Sequence, residues 1–324
     1  MDMLHSAMNG MVAASGGETT MADSSDAKTM ATSTGSDHGV NTWLQVANTF
    51  FKDNSSISYS GANHAAMLGG GYRFNDMFAA GLGLSYSYTT VDTAFNKGTV
   101  KDTLYGAHPY FLIIPHKNVF LEAMAGYTTG KSDNSRRWIV TEQGPARTGY
   151  PVYHDATFNA KPKVNTMYGA LFVNLHNKFN KANIALRVGY EAIQSKMKAI
   201  RETAVNAVYQ QHAKSYDANT YKVHTVSGQL KLGYDWSPTV TPSIFFDYSY
   251  DVKAATAVNW SNAAKNTQAS MQDTTYSLNR TRWGGGVGID ARHDDQLSGN
   301  ISTGYAKRGH ITELKANFGL KYQF

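Results

Sequence analysis

Thr312–Phe324 reads Thr-Glu-Leu-Lys-Ala-Asn-Phe-Gly-Leu-Lys-Tyr-Gln-Phe and ends the chain. Alternate positions separate it cleanly. Leu314, Ala316, Phe318, Leu320, Tyr322 and Phe324 form one set; Glu313, Lys315, Asn317, Gly319, Lys321 and Gln323 form the other. A helix would scatter these charges around its circumference, whereas successive side chains of a strand point to opposite faces. The segment is therefore a strand with one wholly apolar face.

The same period of two recurs toward the N-terminus. In 239–253, Val240, Pro242, Ile244, Phe246, Tyr248, Tyr250 and Val252 oppose Ser243, Asp247, Ser249 and Asp251. In 181–192, Ile184, Leu186, Val188 and Tyr190 oppose Asn183, Arg187, Gly189 and Glu191. Leu121 and Tyr127 oppose Glu122 and Met124, and Phe78, Leu82, Leu84 and Tyr86 share a face. Twelve such segments are predicted, at about 41–53, 60–74, 77–92, 99–114, 117–131, 162–177, 181–197, 220–236, 239–254, 274–291, 295–306 and 311–324. Most exceed the ~9–11 residues that a tilted strand needs to cross a bilayer.

The connections choose between architectures. Every second one, beginning with Asn75-Asp76, is a tight turn, and those between are longer. Outer-membrane barrels have short periplasmic turns and long extracellular loops, while a soluble sandwich has no reason to gather its short turns at one end. The fold class expected is an all-β transmembrane antiparallel barrel of about twelve strands. Closure satisfies every backbone group within the hydrocarbon. Tyr86, Tyr88, Tyr234, Trp236, Tyr250 and Trp283 are the expected interfacial girdle.

Composition agrees. Charged residues make up 17% of the 324, below the average for a soluble domain, while Tyr (20) and Gly (29) are plentiful. No apolar run approaches the length of a membrane-spanning helix, but a barrel hides its apolar surface in alternation, so the mean hydropathy of −0.40 is compatible with it. With no cysteine there is no disulfide framework and no thiolate chemistry. The net charge of +6 is dispersed, with no Lys/Arg run longer than a pair such as Arg136-Arg137, which argues against nucleic acid.

Residues 1–40 differ from the rest. Met1–Ser15 is rich in Met and Ala and suits one short helix, and 16–39 is a Ser/Thr/Gly/Asp tract that reads as a linker. The expected division is 1–40, linker and pore-threading segment, and 41–324, barrel. The N-terminus lacks the basic and apolar regions of a secretory signal, so the chain is expected to be a mature or excised piece of a longer precursor.

With the strands placed, 41–324 resembles the translocator domain of autotransporters, the type V secretion family. The matching features run in order: Trp43, Gly69-Gly70-Gly71-Tyr72-Arg73-Phe74, Gly81-Leu82-Gly83-Leu84-Ser85-Tyr86, Leu104-Tyr105-Gly106, Glu202, Gly284-Gly285-Gly286-Val287-Gly288 and Gly319–Phe324. The resemblance implies an outer-membrane barrel that secretes or anchors an upstream passenger, with residues 1–40 threading the pore. It also implies that Phe318, Leu320, Tyr322 and Phe324 form the signal read by the outer-membrane assembly machinery. Self-cleavage is not implied, because 1–40 contains no Asn-Asn pair. The expected partners are outer-membrane lipid and lipopolysaccharide, the assembly machinery and the chain's own passenger, with no nucleic acid. A monomer is expected, its long loops extracellular and its C-terminus periplasmic.

No enzymatic, cofactor or metal site is expected. The eleven histidines show no metal-ligand spacing. The glycine triplets lie within strands, where they are expected to allow close packing of lumen contents or of aromatics on neighbouring strands rather than to form a phosphate loop. An outer-membrane lipase would need Ser and His together on the outer face, but His224 and Ser227, three apart on a strand, face oppositely. Omptin-like proteolysis needs paired rim carboxylates, and Asp217, Asp251 and Asp290 show no arrangement that selects them. The expected lumen-lining residues are Arg73, Glu122, Arg187, Glu191, Lys231, Asp247, Lys315 and Lys321, mixed in sign as braces or contacts for a threaded segment are. A free-standing pore or an adhesion barrel using the loops 131–162, 197–220 and 254–274 is the alternative.

Overall fold

A computed structural model describes residues 39–55, 58–94, 97–142, 152–216, 218–254, 260–261, 279–294 and 296–324. Twelve long strands follow one another: β1 (Gly39–Asp53), β2 (Tyr59–Arg73), β3 (Phe78–Thr93), β4 (Gly98–His116), β5 (Val119–Glu142), β6 (Lys163–Phe179), β7 (Ala182–Met197), β8 (Asn219–Tyr234), β9 (Val240–Ala254), β10 (Thr281–Arg292), β11 (Leu297–Arg308) and β12 (Ile311–Gln323). Each pairs antiparallel with the next, and β12 returns to β1 from Asn41↔Gln323 to Asp53↔Ile311. The sheet is closed, so no strand edge faces lipid.

The outer surface is apolar. Leu68, Leu84, Leu171, Val188, Phe246, Val287, Ile301 and Leu320 are all exposed. The buried residues lie on the inner face, where Trp43, Met67, Tyr110, Leu112, Met124 and Phe172 pack together. Relative to a soluble protein the outer wall is inverted: large aliphatics are exposed on it, while Glu122, Arg187, Arg282 and Glu313 are buried inside beside apolar clusters. Tyr86, Tyr234, Trp236, Tyr250 and Trp283 are exposed as a girdle requires, and Tyr88 is half-buried.

Five short connections, at 74–77, 117–118, 180–181, 235–239 and 293–296, gather at one end, together with the start of β1 and the end of β12. Local side chains shape them. Asn75 Oδ1 accepts from the amides of Met77 and Phe78, and Asp294 Oδ1 from those of Gln296 and Leu297. Asn180 takes φ +54° in a two-residue turn, a conformation that Asn tolerates.

Three differences from the expected layout concern the other end. β5 runs on to Glu142 instead of stopping near 131, and Val152–Ala160 pairs back along it, so much of the expected loop 131–162 is a projecting hairpin. Above the membrane both faces of a strand are polar, and the alternation that marks a strand loses its contrast. β10 begins at Thr281, not 274; Asn279 Oδ1 accepts from the Thr281 amide at the strand's start, and 274–278 lie outside the described residues. The connections 54–58, 94–97 and 309–310 are as short as those at the opposite end, so length asymmetry rests on the segments after β5, β7 and β9. The segment after β7 carries a 3-10 helix, Ala207–His212, and short strands that pair with the projecting hairpin and with Trp260–Ser261. The expected threading segment lies outside the described residues except for Gly39 and Val40.

Candidate functional site

The site is the lumen, and glycines on neighbouring strands let large side chains fill it. Trp43 of β1 lies over Gly69 and Gly83; a methyl group at Gly69 would sit 2.2 Å from Trp43 Cζ2. Tyr110 of β4 covers Gly71 and Gly81 in the same way, Tyr168 covers Gly126, and Phe172 covers Gly189. Each ring occupies a notch that any side chain would close. Gly286 and Gly304 likewise receive Phe245, so both glycine triplets serve aromatic packing.

Charged residues are paired beside these rings. Arg187 stacks on Phe172, its guanidinium carbon 3.6 Å from the ring centroid, and meets Glu122 at 3.2 Å. Lys231 reaches Asp290 at 3.0 Å, and Arg282 contacts Glu313 at 3.1 Å, with Lys315 at 3.7 Å from the same carboxylate. Arg308 bonds Asp251 at 2.7 Å, and the Thr225 hydroxyl donates to that carboxylate at 2.8 Å. Buried charges persist only when paired and hydrogen-bonded, and Arg187–Glu122, Lys231–Asp290, Arg282–Glu313 and Arg308–Asp251 each span non-adjacent strands. Together they brace the barrel against collapse.

The structure distributes the expected lumenal residues as follows. Glu122, Arg187, Lys231, Lys315 and Lys321 are buried on the inner face. Glu191 accepts from Ser227, and Asp247 from Gln229, both half-buried. Arg73 sits at the short-turn rim, bonded to Asp76 at 3.1 Å and to the Asn75 carbonyl at 3.2 Å. Phe318, Leu320, Tyr322 and Phe324 are exposed on the outer face. The expected lumen-lining set leaves out Arg282, Arg308, Asp251 and Glu313; the sequence places the last two on polar strand faces, but all four have partners on strands too distant for spacing to reveal.

His224 and Ser227 do face oppositely: His224 bonds Tyr190 among outward residues, whereas Ser227 bonds Glu191 inside. Asp251 and Asp290 lie toward opposite ends of the barrel and are each paired with a base; Asp217 lies outside the described residues. A different trio does converge. His108, fully buried, places Nε2 2.6 Å from Ser85 Oγ and Nδ1 2.6 Å from the Tyr168 hydroxyl, tying β3, β4 and β6 together. Gly106 and Gly126 press on the imidazole: a methyl group at either would lie within 2.7 Å of it. Among the described residues, no group of His, Asp and Glu could hold a metal ion.

A second buried site lies above the barrel. Glu202 receives two hydrogen bonds from Arg136, at 2.6 Å each, one from the Lys214 amide and one from the Tyr216 hydroxyl. Burial alone would lower the guanidinium's affinity for its proton, but the bonds and charge of Glu202 outweigh it, and the pKa of Arg136 is raised. The pair fixes the projecting hairpin to the segment after β7. The Glu202 noted in the sequence is thus a structural anchor.

Residues 42–304 match the family described as Autotransporter beta-domain, and the chain belongs to that family. No curated protein sequence matches it. Among solved structures, the translocator domain of the autotransporter NalP from Neisseria meningitidis is similar with a TM-score of 0.68 at 13% identity, 88% of each chain being covered. The beta domain of the Bordetella autotransporter BrkA follows with a TM-score of 0.55 at 14% identity, covering 88% of this chain and 100% of that one. The transport unit of AIDA-I from Escherichia coli gives 0.51 at 14%, covering 88% and 90%. These likenesses establish the fold; the family match establishes the role. The chain is an integral outer-membrane translocator barrel, the part that secretes or anchors an attached upstream passenger.

Proposed function

We propose that this translocator works by passing residues 1–40 through its lumen, with 41–324 as the barrel unit. The observation that carries the reading is topological. β1 starts at the short-turn end, so a chain that precedes it and reaches the long-loop end must cross the interior. The interior suits such a chain. Arg73, Glu122, Arg187, Glu191, Lys231, Asp247, Lys315 and Lys321 offer both signs of charge along the path. Buried polar atoms of Asn174, Ser243 and Ser249 have no hydrogen-bond partner among the described residues, and they can bond water or a polar backbone. In this reading the long-loop end faces the exterior and the C-terminus the periplasm.

The outward set Phe318, Leu320, Tyr322 and Phe324 is presented to the assembly machinery. Closure leaves no edge for a second copy, so the barrel acts as a monomer within outer-membrane lipid and lipopolysaccharide. It is not an enzyme: Ser85, His108 and Tyr168 serve as a brace. The test is deletion of 1–38 followed by planar-bilayer recording. Single-channel conductance should rise, and equal conductance with and without the segment overturns the threading.

A second reading, surface adhesion, draws on the hairpin anchored by Arg136 and Glu202, beside which Trp138, Val205 and Val208 are exposed. A barrel without a passenger that still attaches cells, and loses attachment when 133–160 is removed, would favour it.

A further inference from the structure

Outward-facing lysines lie just above the apolar band on five consecutive strands: Lys101 on β4, Lys131 on β5, Lys163 on β6, Lys196 on β7 and Lys222 on β8. All five are exposed. Below them the outer surface is Tyr105, Tyr127, Met167, Leu171 and Tyr190, each at least 43% exposed. The band therefore ends in aromatics, and cationic side chains begin within one to three outward positions.

Register makes the cluster costly in water. Lys131 stands directly opposite Lys163 across the β5–β6 pair, and Asn165, the next outward position of β6, opposes Lys196. Like charges directly opposite one another destabilise a sheet. Asp133, directly opposite Lys101 across the β4–β5 pair, is shared with Lys161 at 3.1 Å, so it offsets charge at that edge of the cluster and not between Lys131 and Lys163. Lys253 on β9, opposite His224, extends the run by one strand. The rest of the circumference is sparser: Lys52 and Lys307 occupy this level on β1 and β11, and Asp92 faces outward on β3.

We propose that this face binds the phosphorylated glycolipid of the outer leaflet, lipopolysaccharide, with its phosphates on Lys131, Lys163 and Lys196 and its acyl chains along Met167, Leu171 and Tyr190. The inference rests on the orientation proposed above, in which the long-loop end is exterior. Charge complementarity selects this occupant. A polyanion bridging Lys131 and Lys163 removes their repulsion, and the aliphatic stems of lysine lie along acyl chains while their ammonium groups reach the phosphates. A soluble anionic partner would leave the apolar surface below the lysines unused.

The full chain, purified in a neutral detergent, is titrated with purified lipopolysaccharide, with the same lipopolysaccharide after dephosphorylation, and with phosphatidylglycerol. The readouts are a shift in the midpoint of heat-induced unfolding and the apparent affinity. Intact lipopolysaccharide should raise the midpoint and the dephosphorylated form should not. Lys131→Gln with Lys163→Gln should weaken the apparent affinity roughly 30-fold, from about 1 kcal/mol per lysine at an anionic surface. Lys52→Gln with Lys307→Gln, on β1 and β11 away from the cluster, should leave it unchanged. Because the tested lysines are exposed, both double variants should fold, and Lys163→Gln alone gives a smaller loss in the same direction.

An equal response to dephosphorylated lipopolysaccharide, or equal losses in the two double variants, overturns the site. An equal response to phosphatidylglycerol overturns the commitment to the outer leaflet. Surface display of a fused passenger separates this from the translocation reading: the site can fail while display persists, and display can fail while binding persists.

Discussion

Trp43 and Tyr110 are 67 residues apart and meet inside the lumen, where the indole Nε1 donates to the Tyr110 hydroxyl at 3.3 Å. Their rings are tilted at 57° with centroids 6.3 Å apart, within the range of favourable aromatic pairs. The contact exists because Gly69, Gly71, Gly81 and Gly83 offer no side chains beneath them. Gly69→Val should therefore force Trp43 out of its notch and cost about 1–3 kcal/mol, as overpacking does. A lower midpoint of heat-modifiability is expected. Trp43→Ala should make the same glycine change much less harmful, a coupling readable in a double-mutant cycle.

Register in β12 gives two neighbours opposite fates. Leu320 is 40% exposed on the outer face and Lys321 only 9% on the inner. Leu320→Arg puts a charge in lipid at roughly 2–4 kcal/mol near the midplane, and at the low end of that range near the short-turn end. Lys321→Leu should cost about 1 kcal/mol or less, because the lumen holds water and other charges. Deleting Phe324 should impair assembly more than either. Folded barrel recovered in outer-membrane fractions ranks the three, and poorer assembly of Lys321→Leu than of Leu320→Arg would reverse the two faces.

Arg136 and Glu202 anchor the projecting hairpin, not the barrel. Arg136→Met leaves a buried carboxylate without its cation, which costs about 3–5 kcal/mol. The expected result is local. Limited proteolysis should cut within 132–160, while the barrel keeps its heat-modifiable mobility. A barrel that fails to fold would instead make the hairpin part of its folding nucleus.

Acid should loosen the turn between β8 and β9 before the barrel wall. Partial burial of Asp235 pushes its pKa up, but hydrogen bonds from Lys178, Thr241 and Asn183 outweigh this and hold it below the ordinary 3.8. A depressed folded pKa means that the stabilisation is complete above the unfolded value and is lost as pH falls through the folded one. Amide protection at 178–183 and 235–241, the exchange rate judged against the intrinsic rate at each pH, should fall below about pH 3.8 in the native chain. Asp235→Asn should show lower protection already at neutral pH and little further loss on acidification.

The sequence by itself determined the barrel, because the membrane imposes a strict alternation on whatever crosses it. The alternate positions Leu314, Ala316, Phe318, Leu320, Tyr322 and Phe324 could be assigned to lipid and those between them to the interior, since one misplaced residue per strand would be expensive. That signal exists only within the hydrocarbon. β5 beyond Lys131 was misjudged, because there water wets both faces and alternation has no energetic cause. Residue pairings inside the lumen were decided by tertiary structure alone. Arg308 finds Asp251 and Trp43 finds Tyr110 through closure of the sheet and the glycine notches that set how deeply a ring can enter. Local spacing records that a residue faces inward, but only the closed circumference determines what it faces.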